Sequence, residues 1–218
     1  MRAAVFDADG TLFDSMWVWE RFASNFLESQ GLLPDLQADT DTRYMCLAQS
    51  AKYFREKYGV SGTDDEICAR CNKIIEDAYF KRIELRPGAA GFLMRLHHAG
   101  IPIVLATATE RYLVEAALKR QGVLQLFSAI ATCQEAGVGK ADGGQVFFLA
   151  LERAGLGKST EGVWIFEDAL HAIKTAAKCG FSVCAVADSS EADHIDEITS
   201  LSDLYINSFS GLEPEQFK

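Results

Sequence analysis

The chain has 218 residues, 49% hydrophobic and 24% charged, with only four prolines; this is a folded globular composition and excludes a disordered chain. Thirty-one acids against 21 Lys and Arg leave a formal charge of −10 with no basic cluster, which argues against nucleic acid or an anionic membrane surface as the main partner. No apolar run approaches the ~18 residues of a membrane span, no signal-peptide pattern precedes Asp7, and six scattered cysteines read as reduced thiols, so a cytoplasmic protein is expected.

An apolar run at 3–6 opens the chain and ends at an acidic pair, Asp7 and Asp9. From 15 to 86 the pattern is helical only, with segments at 16–30, 42–58 and 63–82 punctuated by Gly31-Leu32-Leu33-Pro34 and Gly59-Val60-Ser61-Gly62. Arg86-Pro87-Gly88 marks a change of rhythm. Apolar runs at 101–106, 129–132, 162–166, 181–187 and, more weakly, 204–206 follow, with amphipathic stretches at 88–99, 110–121 and 169–179 that stop at Gly100, Gly122 and Gly180. Unbroken apolar strands alternating with helices mean a parallel sheet covered on both faces. The expected fold is α/β: a doubly wound parallel sheet from 1–14 and 87–218, with an all-helical insert at 15–86.

Ligands of open α/β sheets bind beyond the carboxyl ends of the strands. The residues just past the apolar runs are Asp7 and Asp9, then Thr107-Ala108-Thr109, then Lys140, then Glu167-Asp168. Alone, Asp168 reads equally as a helix cap. Asp7 and Asp9, two residues apart after a buried strand, repel each other unless a cation or a proton lies between them. Hard oxygen ligands without His or Cys suit Mg²⁺ and a substrate phosphate. One carboxylate can attack phosphorus and a second can serve the leaving oxygen and then water, while a threonine hydroxyl and an ammonium hold the phosphoryl oxygens. Phosphoryl transfer through a covalent aspartate uses every member of the set.

Asp7-Ala8-Asp9-Gly10-Thr11-Leu12-Phe13-Asp14-Ser15 resembles the first motif of the haloacid dehalogenase-like (HAD) superfamily. Thr107, Lys140 in Val138-Gly139-Lys140, and Phe166-Glu167-Asp168 with the following Ala169–Ile173 segment resemble the second, third and fourth, in order. The resemblance spans essentially the whole chain and is closest to the β-phosphoglucomutase and phosphoglycolate-phosphatase-like branch, whose helical cap sits where this chain has its insert. It implies a Rossmann-like core and Mg²⁺ as cofactor. Asp7 is implied as nucleophile and metal ligand, and Asp9 as general acid/base with its backbone carbonyl on the metal. Thr107 and Lys140 are implied on the transferring phosphoryl group, with Gly10 and Ala108 beside them. Asp168 is implied as a metal ligand, and Glu167 as a ligand or the partner of one.

Two departures stand out. Lys140-Ala141-Asp142-Gly143-Gly144-Gln145 lacks the Pro and Asp usual in the third motif, so a looser hold on Lys140 is expected. Trp19 stands where the mutase has a histidine, which favours simple hydrolysis. The expectation is an Mg²⁺-dependent phosphatase acting as a monomer on a small phosphorylated metabolite, a sugar phosphate or similar. The alternative is a phosphomutase of the β-phosphoglucomutase type; a phospho-accepting receiver domain fits less well, since it would carry its acceptor on a middle strand and no such insert. A dehalogenase proper would leave Asp9 and the Glu167-Asp168 pair unexplained.

Elsewhere the reading is plainer. Cys68-Ala69-Arg70-Cys71 is half a zinc site and reads as helix packing, and His171 is expected on a solvent or helix side. Trp17, Trp19, Arg21, Arg43, Tyr44, Lys52, Tyr53 and Arg55 are candidate substrate contacts from the insert, with Trp17 and Trp19 favoured as lining. Phe22, Phe26 and Phe54 are expected in a helix core. Lid motion is expected about the two crossings at 11–15 and 86–88.

Overall fold

A computed structural model describes residues 1–43 and 45–217. The chain begins with β1 (Ala3–Phe6) and β2 (Phe13–Asp14), then runs through α1 (Met16–Trp19), α2 (Phe22–Ser29), α3 (Ala38–Thr42), α4 (Leu47–Tyr58) and α5 (Asp64–Asp77), which continues as a π-helical turn over Ala78–Arg82. After β3 (Glu84–Leu85) come α6 (Ala89–His98), β4 (Ile103–Thr107), α7 (Arg111–Arg120), β5 (Ala129–Thr132), α8 (Cys133–Ala136) and α9 (Gln145–Arg153). The chain closes with β6 (Val163–Glu167), α10 (Leu170–Lys178), β7 (Ser182–Val186), α11 (Ile195–Leu201) and β8 (Leu204–Ile206).

Six strands form one parallel sheet in the order β5-β4-β1-β6-β7-β8. The alternation along each strand buries both faces. Ala4 and Phe6 of β1 join Leu105, Phe166, Phe92 and Leu113 in one core, while Ala3 and Val5 join Val104, Ile165, Phe147 and Ile173 in the other. Thus α6 and α7 cover one face, and α9 and α10 the other. An aromatic cluster closes the first face: Phe6 stacks on Phe166 at 4.3 Å between centroids, and Phe209 and Phe217 pack on Phe92. The doubly wound parallel sheet read from the sequence is the one observed, and β1 lies at its centre, where the chain switches sides.

The insert departs from its expected segments in informative ways. The helix expected over 16–30 breaks at Glu20-Arg21, where Arg21 takes φ −125° and ψ 27°. The break lets Trp19 face the sheet while Phe22, Phe26 and Leu27 turn into the helical core. The helix expected from Thr42 starts at Leu47, because 38–42 forms its own short helix. Residues 84–85, expected within a strandless region, pair antiparallel with β2 (Phe13↔Leu85, Asp14↔Glu84) and tie the two crossings together. Phe26 and Phe54 stack at 4.7 Å, and Cys68 and Cys71 are buried in the same apolar cluster, as the helix-packing reading held. Three helices not expected from the sequence (α8, α9 and α11) follow β5 and β7; α9 starts at Gly144 and buries Val146, Phe147, Ala150 and Leu151.

Candidate active site

Parallel register builds the site. β1 pairs β6 with Phe6 opposite Phe166, so the next residues, Asp7 and Glu167, leave adjacent strands side by side. The Asp7 N–H donates to the Phe166 carbonyl at 2.9 Å. Lys140, from the loop between α8 and α9, is 5% exposed, pairs with Asp7 and reaches Glu167 Oε1 at 2.5 Å. Glu167 Oε2 accepts the N–H groups of Asp168 (2.8 Å) and Ala169 (3.2 Å). Thr11 Oγ donates to Asp168 Oδ1 at 2.6 Å. Gly10 adopts φ +78°, and a Cβ there would lie 2.7 Å from Asp168 Cγ; only glycine permits this turn to close over Asp168.

Burial, then the neighbouring Glu167, push the Asp7 carboxyl up to about 8, against the opposing pull of Lys140. Burial and the same acidic neighbours hold Asp168 well above the carboxylate range. Burial alone would lower Lys140, but Asp7 and Glu167 outweigh it and keep the ammonium charged. Oxygens of Asp7, Glu167 and Asp168 lie within 4.8 Å of one another. Three carboxylates facing one ammonium leave two negative charges uncompensated when ionised, which fits a hard dication with oxygen ligands. Both oxygens of Glu167 already accept hydrogen bonds, so the donors best placed for a cation are Asp7 and Asp168.

Asp9 sits under a different set of partners. Ser15 Oγ and Tyr79 Oη donate to its Oδ1, both at 2.6 Å, and Thr109 Oγ donates to Oδ2 at 2.7 Å. Tyr79 comes from the π-helical turn and is fully buried, so the insert reaches the first motif directly. Thr107 is fully buried and accepts the Thr109 N–H at 3.1 Å. The sequence reading missed Ser15, Tyr79 and Thr109 as partners of Asp9. It also missed Arg86, which donates to the Gly10 carbonyl and to Asp188 Oδ2 (2.8 Å) and so fastens the first-motif turn. Arg86 was legible only as punctuation, because its partners are remote in sequence.

The Lys140 loop is tighter than its two glycines suggested. Gly144, at φ +72°, packs with its Cβ position 3.2 Å from Cys179 Sγ and Phe147 Cδ2. Asp142 Oδ2 accepts the Gly139 N–H at 3.2 Å. Cys179 Sγ, at the end of α10, also reaches the Gly143 carbonyl at 3.6 Å.

A cavity of about 110 Å³ opens onto these groups. Asp7, Asp9, Ala108, Lys140, Glu167 and Asp168 line it from the sheet, and Trp19 and Arg43 from the insert. Gly10 and Thr107 are not among its lining residues. His171 also lines it, which corrects the expectation of a solvent or helix-side position; burial lowers its pKa. Trp17 does not line it: it is 42% exposed, donates to the Asp14 carbonyl and carries the Arg82 guanidinium over its ring. Arg21, Tyr53 and Arg55 pair at the surface with Glu28, Asp41 and Asp64, and Lys52 is exposed. Tyr44 lies outside the described residues.

A doubly wound α/β protein with an acidic pair, a buried lysine and a second acidic pair at its strand ends is thereby defined. The family model for haloacid dehalogenase-like hydrolases matches residues 1–180, and the chain belongs to that family. It is 27% identical over 197 residues to the mitochondrial (DL)-glycerol-3-phosphatase 1 of Arabidopsis thaliana, covering 85% of this chain and 63% of that protein, slightly under two thirds of its length. It is 26% identical over 204 residues to hexitol phosphatase A of Escherichia coli, covering 89% of this chain and 87% of that one. Among solved structures, CbbY from Rhodobacter sphaeroides in complex with phosphate superposes with a TM-score of 0.82 at 21% identity, over 100% of this chain and 99% of that one. The fold is also that of a β-phosphoglucomutase from Clostridium difficile, with a TM-score of 0.78 at 16% identity over 99% of this chain and 95% of that one. Among the described residues no helix is long and apolar enough to cross a membrane.

Proposed function

We propose that the protein is an Mg²⁺-dependent phosphatase that hydrolyses a small phosphomonoester, a sugar or polyol phosphate, through an aspartyl-phosphate. The observation that carries this reading is the buried cluster of Asp7, Lys140, Glu167 and Asp168, with Asp9 at its rim. The names of the two curated relatives, both phosphatases of small polyol phosphates, point the same way.

Asp7 attacks phosphorus, the bond to the leaving oxygen breaks, and that oxygen takes a proton from Asp9. Water then attacks the phospho-aspartate while Asp9 takes its proton, and inorganic phosphate leaves with Asp7 restored. Lys140 holds a phosphoryl oxygen and fixes Asp7, with Thr107 and the Ala108 backbone on the other oxygens. Glu167 holds Lys140 and the Asp168 backbone in place. Mg²⁺ on Asp7, Asp168 and the Asp9 carbonyl would neutralise the excess negative charge and polarise the phosphoryl group. Trp19 in the cavity wall, where a mutase has a histidine, supports hydrolysis over transfer to a second sugar hydroxyl.

The division into a core (1–14, 87–218) and a cap (15–86) belongs to the same proposal, supported by the β2–β3 pairing at the crossings. So does action as a monomer in the cytoplasm, in keeping with six unpaired thiols, five of them buried. Phosphate release from a panel of small phosphomonoesters, with Mg²⁺, with EDTA and with Asp7→Asn, tests the reading. Metal-dependent release abolished by the variant is expected. No release from any of them would overturn it, and conversion of a sugar 1-phosphate to its 6-phosphate would replace hydrolysis with mutase chemistry.

A further inference from the structure

Beside the catalytic cavity lies a larger one of about 430 Å³, between α1, α3 and the 3₁₀ turn Ser189–His194. Met16, Trp19, Arg43 and Met45 line both. We propose that this second cavity is the subsite for the leaving group, and that it selects an uncharged polyhydroxylated chain over one carrying a second phosphate or a carboxylate. The inference rests on the phosphatase reading and specifies its substrate class.

Three observations carry it. The first is position: Met16, Trp19, Arg43 and Met45 border both cavities, so the larger space, whose volume lies in the ~300–1,000 Å³ range of small-molecule sites, adjoins the one that a phosphoryl group at Asp7 would occupy. The second is charge. Glu20, Asp39 and Asp193 stand on the wall, and Asp39 is fixed by the Ser24 N–H (2.9 Å) and hydroxyl (2.5 Å). Arg43 is the one basic side chain among the described lining residues, and its guanidinium already faces the buried Glu191 at 3.6 Å. An anionic tail therefore meets three carboxylates and a cation that is already paired.

The third observation is hydrogen-bonding type. Thr40, Ser189 and Ser190 add hydroxyls to the same wall, and Ser190 Oγ is a buried atom with no protein partner. Alcohol groups both donate and accept, so a polyol satisfies carboxylates and hydroxyls alike. A protein of net charge −10 needs local cations to hold an anion. Here Lys140 supplies one for the phosphoryl group, and the second cavity supplies none to spare.

The test measures kcat/KM on the full chain with Mg²⁺ for glycerol 3-phosphate and a hexitol phosphate, against 2-phosphoglycolate and a pentulose bisphosphate. A preference of about tenfold or more for the two polyol phosphates is expected. Asp193→Lys, at an exposed position, should narrow the polyol-to-anion ratio by about fivefold or more. Glu20→Lys, also exposed, should act in the same direction. The ratio cancels any general loss of active enzyme. A wild-type preference for an anionic tail, or ratios unmoved by both variants, would overturn the subsite. With p-nitrophenyl phosphate as a reference, its turnover alongside an inverted ranking sinks the subsite alone; silence on every substrate sinks the phosphatase reading and the subsite with it.

Discussion

The strand ends and the helical wall opposite them enclose one cavity by different means. At the carboxyl ends of β1 and β6, Asp7, Lys140, Glu167 and Asp168 are each at most 7% exposed and engage one another or the backbone beside them. On the wall, Trp19 leans on Phe22 at 5.2 Å between centroids, and Arg43 reaches across to Glu191. Most charges of the insert are spent on its own outer surface, where Lys57 bridges Asp35 (3.0 Å) and Asp41 (3.2 Å). The strand-end geometry is over-determined by sheet register and buried charge pairing. The wall is held by a few contacts, so its residues can change without disturbing the strand ends.

The largest effect is expected from Lys140→Met, which removes the one ammonium from among three buried carboxylates. Breaking a buried ion pair typically costs ~3–5 kcal/mol, and phosphate release should fall by about 100-fold or more. Urea denaturation in EDTA and a turnover assay check both; a variant of wild-type stability would show that the pairing is not what organises the strand ends.

Metal and pH sharpen the same point. With Asp7 raised to about 8 by burial and Glu167, the folded metal-free protein binds more protons than the unfolded chain between roughly pH 4 and 8. Stability is then greatest below the unfolded carboxyl pKa, near ~4, and is lost as pH rises toward 8. Mg²⁺ should offset that loss, so the gap in Tm between Mg²⁺ and EDTA should widen from pH 5 to pH 8. A gap that stayed constant or narrowed would contradict it.

Tyr79→Phe removes the hydrogen bond by which the π-helical turn of the insert reaches Asp9. Removing a donor to a carboxylate is worth ~1.5–3 kcal/mol, and kcat should fall by about tenfold while KM stays within about twofold. A change confined to KM would assign Tyr79 to substrate binding instead. The smallest effects separate the two tryptophans: Trp19→Ala should raise KM by several-fold, whereas Trp17→Ala, on the outer face, should leave kcat and KM within about twofold. Equal effects would erase the distinction between wall and surface.

How much could be read beforehand follows the same divide. The strands at 3–6, 129–132 and 204–206 were legible, as were the polar residues past the runs at 3–6, 101–106 and 162–166, because a buried parallel strand is a continuous apolar run and a polar side chain at its end stands out against it. The break at Glu20-Arg21 was not, since helical periodicity continues through it and only the packing of Trp19 and Phe22 decides where the axis turns. The contacts that hold the Lys140 loop were out of reach, because Asp7, Glu167 and Cys179 lie far from it along the chain.

By itself, the sequence determined the α/β class, the place of the helical insert and the set Asp7, Asp9, Thr107, Lys140, Glu167 and Asp168, all of them local signals of period, turn and charge. Tertiary structure alone decided which hydroxyls hold Asp9, that Arg86 fastens the Gly10 turn, and that His171 and Arg43 face the cavity while Trp17 does not. The physical reason is separation along the chain: Tyr79 lies 70 residues from Asp9, Asp188 lies 102 from Arg86, and Thr11 lies 157 from Asp168. Hydrogen bonds across such spans leave no mark in local patterning and exist only once the sheet has brought its strand ends together.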